Sequence, residues 1–441
     1  MAQVIPFKGL RYNTSKIDDL SKVMTPPYDV ISPAEQDRFY QISEYNIIRL
    51  ELGKEEPGDD EHNNKYTRAA RYLKEWIEKQ ILVQEKQPSF YIYQQQFSLS
   101  NGNTYTRTGF VGLVRLEEFS KGVILPHENT LSKPKADRLQ LMRACEANFS
   151  QIFALYDDPE KAIPALLKRN IDANSPDIEV EAIPGIVERL WVVSDDPVIA
   201  QIQENMADKK LYIADGHHRY ETALTYRNER MAQNSHHTGD ELYNFVMMMM
   251  VEMEDPGLII LPTHRAISGI KNFSKEKFLQ NASRDFVIEE HLFSGRTLKQ
   301  RVEEMDNILT KKGSHSFVFY DGNLKSCHVL TLKSIETMNE RLPQHDISYK
   351  SLDVTILHTL LLEPLLGIGK EEMANQEFIT YTHDLMEGAE WVEEGRCQMA
   401  FFVNPTSVKQ VKEVSLAGEK MPQKSTYFYP KLLTGLVINK F

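Results

Sequence analysis

The sequence predicts a mixed α/β protein of two lobes, and three observations lead there. Its 441 residues exceed the size at which a single hydrophobic core keeps growing. Between Leu190 and Arg230 the pattern runs strand, helix, strand, helix, the alternation of an α/β layer rather than an all-β sandwich. After Arg265 a second set of helix and strand patterns begins, so the expected lobes are residues 1–265 and 266–441.

In chain order, residues 1–52 alternate short apolar runs with turn chemistry. Thr25-Pro26-Pro27-Tyr28-Asp29 cannot sit inside a helix, because proline fixes its own φ and restricts the residue before it. The acidic stretch Lys54 to Asn64 reads as a surface loop. From Lys65 to Lys79 the residues Tyr66, Ala69, Ala70, Leu73, Trp76 and Ile77 keep helical spacing. Ser89–Phe97 and Thr106–Arg115 read as strands joined by the turn Ser100-Asn101-Gly102-Asn103, a hairpin signal. Leu190–Val193 is a short apolar run, and Asp195-Asp196-Pro197 opens a helix reaching Met206. Leu211–Ala214 is a strand and Tyr220–Arg230 a helix. Phe245–Val251, with Met247 to Met250 in succession, is far too short to span a bilayer. It reads as a buried strand whose methionines fill the core. The second lobe shows helices at Lys275–Leu279 and Leu298–Leu309 and strands at Ser316–Tyr320 and Gln398–Val403.

Composition narrows the function. Hydrophobic residues make up 41% and charged residues 26%, ordinary for a globular chain. The balance of 51 Lys and Arg against 63 Asp and Glu gives a formal charge of −12, which argues against nonspecific nucleic-acid binding. A local basic pocket for a small anion remains compatible with it. Cys145, Cys327 and Cys397 are odd in number and far apart, so reduced thiols are expected rather than a disulfide framework or zinc knuckle. The N-terminal residues lack a basic region followed by an apolar one, so secretion is not expected. A cytoplasmic protein with no membrane partner follows, with a homo-oligomer left open.

Three clusters carry chemistry. Asp215-Gly216-His217-His218-Arg219 sits where a strand meets a helix. Gly216 permits a tight turn and close approach of a ligand. The positive end of the following helix attracts an anion, Arg219 offers a planar fork to phosphate or carboxylate, and the histidines add donors. The bland alternative is a surface turn with a capping Asp. A metal reading is weaker: His217 and His218 diverge on a helix by about 100°. His217 and Glu221 could share an ion, yet no third ligand such as His264 or His127 arrives at a known spacing. Magnesium accompanying a nucleotide needs only one or two carboxylates, and Glu221 is the candidate. The second cluster is Pro126 to Arg138, which packs His127, Glu128, Lys133, Lys135, Asp137 and Arg138 into one stretch. Its prolines hold the first half out of helix, while Ala136 onward can be helical. Such a segment could bring cations to phosphoryl oxygens and a carboxylate base to a hydroxyl; the alternative is a solvated loop. The third, Leu261-Pro262-Thr263-His264-Arg265 after the methionine-rich strand, suits a pocket rim. His358, His383 and His236-His237 read as ordinary residues. Lys424 to Lys431 reads as an edge strand with amphipathic tyrosines, stacking on a base being the less favoured alternative.

The whole chain resembles the domain-of-unknown-function 1015 family. The matching segments are Pro6–Tyr12, Pro26-Pro27-Tyr28-Asp29-Val30, Asn46–Leu50, Pro126-His127-Glu128, Lys133–Arg138, Ile213–Glu221, Pro262–Arg265 and Lys424–Pro430. More distantly, Asp215 to Arg219 is similar to the signature turn of the ParB/sulfiredoxin superfamily, which includes sulfiredoxin, CTP-binding partition proteins and a free-serine kinase. That likeness implies a ParB/sulfiredoxin-like α/β core in which Gly216, His218 and Arg219 contact nucleotide phosphates. The turn lacks the cysteine of sulfiredoxin chemistry, and no basic helix-turn-helix follows it as in partition proteins. The family resemblance also implies a gene neighbourhood of serine-biosynthesis enzymes, which tilts the substrate toward serine or phosphoserine.

The expected function is a nucleotide-dependent phosphotransferase of a small hydroxyl metabolite, using ATP or ADP and Mg2+. Asp215, Gly216, His218, Arg219, Lys133, Lys135, Arg138, His264 and Arg265 form the expected phosphate and nucleotide set. Glu128 and Asp137 are the expected bases, with His127 and His217 in the catalytic set. A phosphoserine hydrolase and a non-enzymatic nucleotide-binding interaction protein are the alternatives.

Overall fold

The computed structural model describes residues 1–99, 102–130 and 132–441, without the side chains of Ser132, Lys370, Glu371 and Ala374. Ser100 and Asn101 of the expected hairpin turn, and Leu131 of the Pro126–Arg138 cluster, lie outside the described residues. The chain is mixed α/β and divides into two units. The first comprises Met1–Pro126, Thr130–Ile259 and Pro430–Phe441, the second His127–Asn129 and Ile260–Tyr429. The division falls near residue 260, but it is not sequential. The last twelve residues, Pro430–Phe441, expected in the second lobe, belong to the first unit.

The first unit is built on a nine-stranded mixed sheet. From one edge its strands are Ile124–Leu125, Leu211–Asp215, Ile152–Tyr156, Phe245–Glu252, Thr104–Arg115, Phe90–Ser98, Ile186–Val193 and Ile178–Ile183, with Val4–Ile5 also paired to Thr104–Arg115. The Phe245 strand is central and wholly buried, as its unbroken apolar run requires. Its Met248 and Met250 join Phe90, Ile92, Phe110, Ile152 and Ala154 in the main core. Helices Ala162–Ala173, Asp196–Met206 and His217–Gln233 add Ile163, Leu166, Ile202, Met206, Tyr220 and Ala223 to it. Local chemistry sets the helix starts. Asn64 caps Lys65–Glu78 by accepting from the Tyr66 and Thr67 amides, and Thr67 returns a bond to the Asn64 amide, a reciprocal box that satisfies orphan donors. Asp195 likewise accepts from the Val198 amide ahead of Pro197.

Helix starts also differ from expectation. The helix expected from Ala136 spans Ser132–Cys145. Pro134 falls in its first turn, where a missing N–H has no intrahelical partner to lose.

The second unit holds a six-stranded antiparallel sheet in the order Phe286–Leu292, Ser326–Leu332, Ser316–Tyr320, Met399–Val403, His264–Ile267, Ile379–Thr382. Side chains alternate across a strand, and this sheet is apolar on both faces. Phe317, Phe319 and Phe401 join Phe278, Ile356, Leu357 and Leu361 on one side. Val318, Tyr320 and Phe402 join Val302, Met305, Ala389 and Val392 on the other. All three cysteines are free and buried. Among the described residues, no helix is long and apolar enough to cross a membrane.

Candidate functional site

The Asp215–Arg219 motif is a strand, a turn and a helix start. The strand Leu211–Asp215 ends at Gly216, whose φ of +97° lies in the left-handed region, and the helix His217–Gln233 begins at the next residue. A side chain at 216 would be strained there, and its Cβ would stand 3.0 Å from the Arg219 guanidinium. The helix brings His217 into the interior and leaves His218 half-buried, as the angle between neighbouring helical residues demands.

A second helix end lies beside it. Lys135 Nζ bonds Glu221 Oε2 at 2.7 Å, and Arg143 pairs with Glu229 at 2.5 Å. Each partner in the second pair stands eight residues beyond its counterpart in the first, about two turns further along. Ser132–Cys145 and His217–Gln233 therefore run in the same direction, and their positive ends lie at the same end of the pair. Thr130 Oγ1 adds a bond to Glu221 Oε2 at 2.7 Å. His218 sits in this neighbourhood. Burial, helped by Lys135, lowers its pKa, against the opposing pull of Glu221, Asp29 and Asp215. The imidazole is thus neutral near pH 7. Asp29 is exposed and Lys133 is exposed.

Beneath this end the charged groups are engaged with one another. Asp215 accepts from Arg219 at 2.8 Å and from Lys431 at 2.5 Å. Burial would raise its pKa, but Lys431 and Arg219 hold it well below the usual carboxylate range. Arg219 also donates to Ser150 Oγ at 3.2 Å and to the Gln151 carbonyl at 2.7 Å. Three of its donors are thereby used inside the fold, where the sequence reading gave the fork to a ligand. Arg138 is buried as well: it donates to Asp137 at 2.5 Å and to the Glu51 carbonyl at 2.7 Å, and stacks over Tyr28 at 4.1 Å. Asp137, expected as a base, also accepts from Tyr66 at 2.8 Å and pairs with Lys65 at 2.9 Å. Burial works against its ionisation, yet Arg138 and Lys65 bring its pKa down to about 2, far too low for a base poised near neutrality. Ser150 Oγ closes the network by donating to Glu51 Oε1 at 2.9 Å. Tyr28, pushed up to about 12 by burial despite Arg219 and Arg138, remains a phenol. A cavity of about 40 Å3 bordered by Glu51, Arg138, Ser150 and Arg219 has room for one or a few waters.

Lys431 reaches Asp215 because a polar ladder holds its backbone. Arg107 and Gln95 are opposed in register, as are Gln95 and Glu188, and all three are fully buried. Gln95 Nε2 bonds Glu188 Oε1 and the Lys431 carbonyl, each at 3.1 Å, while Arg107 donates to the Pro430 carbonyl at 2.5 Å and to Gln95 Oε1 at 3.1 Å. Ser150, Glu51, Tyr28, Asp29, Lys431 and this ladder were not singled out by the motif reading. Tyr28 and Asp29 stand in the quoted Pro26-Pro27 segment and Lys431 in the quoted basic-aromatic segment; the others carry no local signal.

His127, Glu128, His264 and Arg265 belong to the second unit. His127 is buried, shares a bond with Thr426 Oγ1 at 3.1 Å and packs edge-on to Phe428, and Glu128 is partly exposed beside it. His264 is buried and its Nδ1 accepts from the Val403 amide at 3.2 Å; burial first, then Arg265 and His383, drive its pKa down to about 3. It is a neutral structural acceptor. Arg265 is fully buried and donates to the Thr263 and Lys424 carbonyls. Glu221 has Lys135 and Thr130 on one oxygen, and among the described residues no group of three or more metal-ligating side chains clusters.

Comparison with known proteins gives a family. The model of the family described as "Protein of unknown function (DUF1015)" matches residues 4–355. No curated protein matches. Among solved structures, a conserved hypothetical protein from Pyrococcus furiosus is similar at 14% identity and a TM-score of 0.33, over 71% of this chain and 93% of that one. A free serine kinase in complex with AMP is similar at 12% identity and a TM-score of 0.33, over 71% of this chain and 89% of the other. SbnI with a C-terminal truncation, from Staphylococcus aureus, is similar at 10% identity and a TM-score of 0.32, over 74% and 85%. At such scores the structural likenesses carry no weight for function.

Proposed function

The chain belongs to the DUF1015 family, and from that premise we propose that it is a nucleotide-dependent phosphotransferase acting on a small hydroxyl metabolite, serine or phosphoserine first. One observation carries the reading: two parallel helices begin side by side, one after Gly216 and one at Ser132, with His218 and Lys135 at that end. Two positive dipole ends, a glycine that lets a ligand approach the backbone, and a half-buried cation together favour a phosphate chain. Phosphoryl transfer asks the protein mainly to position and neutralise charge. In this reading His218 and Lys135 meet phosphate oxygens and Lys133 stands at the rim. Arg219, Asp215 and Arg138 are positioning residues, holding the turn and the Tyr28 loop. Asp29, the exposed carboxylate near His218, is the candidate base. ATP or ADP with Mg2+ is the expected cofactor, with metal held largely by phosphate oxygens and water.

The test is calorimetric titration with ADP and ATP in Mg2+, paired with a serine-dependent turnover assay. Charged hydrogen bonds contribute roughly 1.5–3 kcal/mol, so Lys135→Ala is expected to weaken nucleotide binding by about ten- to a hundredfold. Asp29→Ala should lose turnover while nucleotide affinity stays near that of the parent, as removal of a base requires. Unchanged nucleotide affinity in folded Lys135→Ala and His218→Ala proteins would remove the reading. Phosphate release from phosphoserine without nucleotide would replace it with a hydrolase.

A further inference from the structure

The second unit contains a cavity of about 520 Å3, the size of ordinary small-molecule sites. Its wall includes His358 and Thr359, which open a π-helical turn, His358–Leu362, set between the helical segments Asp353–Leu357 and Glu363–Leu366. Such turns are rare and concentrate at functional sites, because widening one turn re-aims side chains at the cost of a regular hydrogen bond. His358 shows the consequence. It is 8% exposed, and its Nε2 is buried with no hydrogen-bond partner among the described residues. A buried polar atom left so costs about 1–3 kcal/mol, a penalty that a ligand atom in the cavity would remove.

The surroundings specify charge. Behind the cavity wall Arg265 is fully buried opposite Tyr381 in the sheet, with its guanidinium 5.6 Å from that ring centroid. Among the described residues no carboxylate pairs with Arg265, and its Nε lacks a partner. A buried unpaired cation is costly and projects a positive potential into low-dielectric surroundings. Burial first, and Arg265 second, push the His358 pKa well below its ordinary value, so the imidazole is a neutral partner. Arg341 and Lys420 add cationic groups to the wall and Glu363 one carboxylate. Met373, Leu342 and the rings of Tyr349 and Tyr381 supply the apolar remainder.

We propose that this cavity, with His358 at the π-turn in its wall, is a binding site for a small organic anion: a carboxylate or phosphate monoester on an apolar body. The anionic group would lie at the His358 and Tyr381 side, in the field of Arg265, and accept from His358 Nε2–H. Its body would rest on Met373 and Leu342. This site is independent of the Gly216 reading and involves residues of the second unit alone.

Titration calorimetry of the full chain with 1-naphthyl phosphate, 1-naphthoate and neutral 1-naphthol tests it. The expected result is one-to-one binding of at least one anion, ten or more times tighter than 1-naphthol; which anion wins tells phosphate from carboxylate. His358→Leu should weaken that binding tenfold or more. Met373→Trp and Thr359→Trp, which fill the cavity without touching its charges, should abolish it, and they keep the test available if His358→Leu fails to fold. His218→Ala should leave it unchanged, which separates this site from an anion bound at Gly216. Equal affinity for 1-naphthol, no binding by either anion, or binding that survives both tryptophan variants would overturn the proposal.

Discussion

Asp215 stands between Lys431 and Arg219, and its charge matters more to the fold than to any ligand. Replacing it with Asn leaves two largely buried cations without their counter-charge, the situation in which breaking an ion pair costs most. Asp215→Asn should lose about 3 kcal/mol in urea denaturation, whereas Lys133→Ala, at an exposed position, should stay within about 0.5 kcal/mol. Near-parental stability in Asp215→Asn would mean that Lys431 and Arg219 find other partners cheaply. Glu188 has the opposite electrostatic character. Burial pushes it up to about 7, against the opposing effects of Tyr93, Gln95 and Arg107. The folded chain therefore holds a proton that the unfolded chain releases near pH ~4.3. The stability this supplies is complete below that pH and is lost as pH rises through about 7. Glu188→Gln is neutral throughout and can keep the bond to Gln95. Between pH 5 and pH 8 it should lose less stability than the parent, by up to about 3 kcal/mol. Denaturation curves at the two pH values decide the matter, and parallel losses would assign the proton elsewhere.

At the scale of elements, the turn at Gly216 joins conformation to function. Its φ is +97° and a Cβ would press on the Arg219 guanidinium at 3.0 Å. Gly216→Ala should cost about 1–2 kcal/mol from the left-handed backbone alone. It should also weaken nucleotide binding, read by calorimetry beside a thermal melt, because the displaced Arg219 holds the turn that aims the helix. A variant as stable as the parent would show that the turn relaxes to another conformation. This element was legible from residue types: an apolar run, a glycine and an amphipathic segment in order. So were Ser316–Tyr320 and the helix from Leu298, which the Thr297–Gln300 capping box starts. The helix after Gly216 begins at His217 rather than Tyr220, since a left-handed glycine completes the turn without further residues. Side-chain partners were not legible. Arg219 and Asp137 carry the residue types of a phosphate fork and a base, but their donors and lone pairs go to Ser150, Gln151, Tyr66 and Lys65. Those pairs join segments tens of residues apart, which no local period reports. The Glu188–Gln95–Arg107 ladder is hidden likewise, because strand register across three strands follows from tertiary packing.

At the scale of the molecule, the last twelve residues belong to a unit whose other segments end at Ile259. Reading in chain order assigns them to the second lobe; only hydrogen bonds reveal the return. Lys431 bonds Asp215, the Leu433 amide donates to Tyr93 Oη, the Ile438 and Leu10 backbones exchange bonds, and Asn439–Lys440 pairs with Ala147–Asn148. Buried Leu433, Leu436, Val437 and Ile438 go with them. Each fully buried aliphatic side chain contributes roughly 1.5–3 kcal/mol relative to exposure, so the segment's removal rivals the whole stability of an ordinary domain, about 5–15 kcal/mol. A chain ending at Tyr429 should therefore lose the first unit specifically. Amide hydrogen exchange should show protection collapsing in Phe90–Ser98, Thr104–Arg115 and Leu211–Asp215. In Phe286–Leu292, Ser316–Tyr320 and Met399–Val403, whose sheet uses none of the deleted residues, protection should persist. The same chain should no longer bind ADP, while 1-naphthyl phosphate or 1-naphthoate should still bind at the His358 cavity. Retained protection in the Leu211 strand after the truncation would show that the ladder and Lys431 are dispensable to the fold of the first unit. Collapse in both sheets would show that the two units share one cooperative transition.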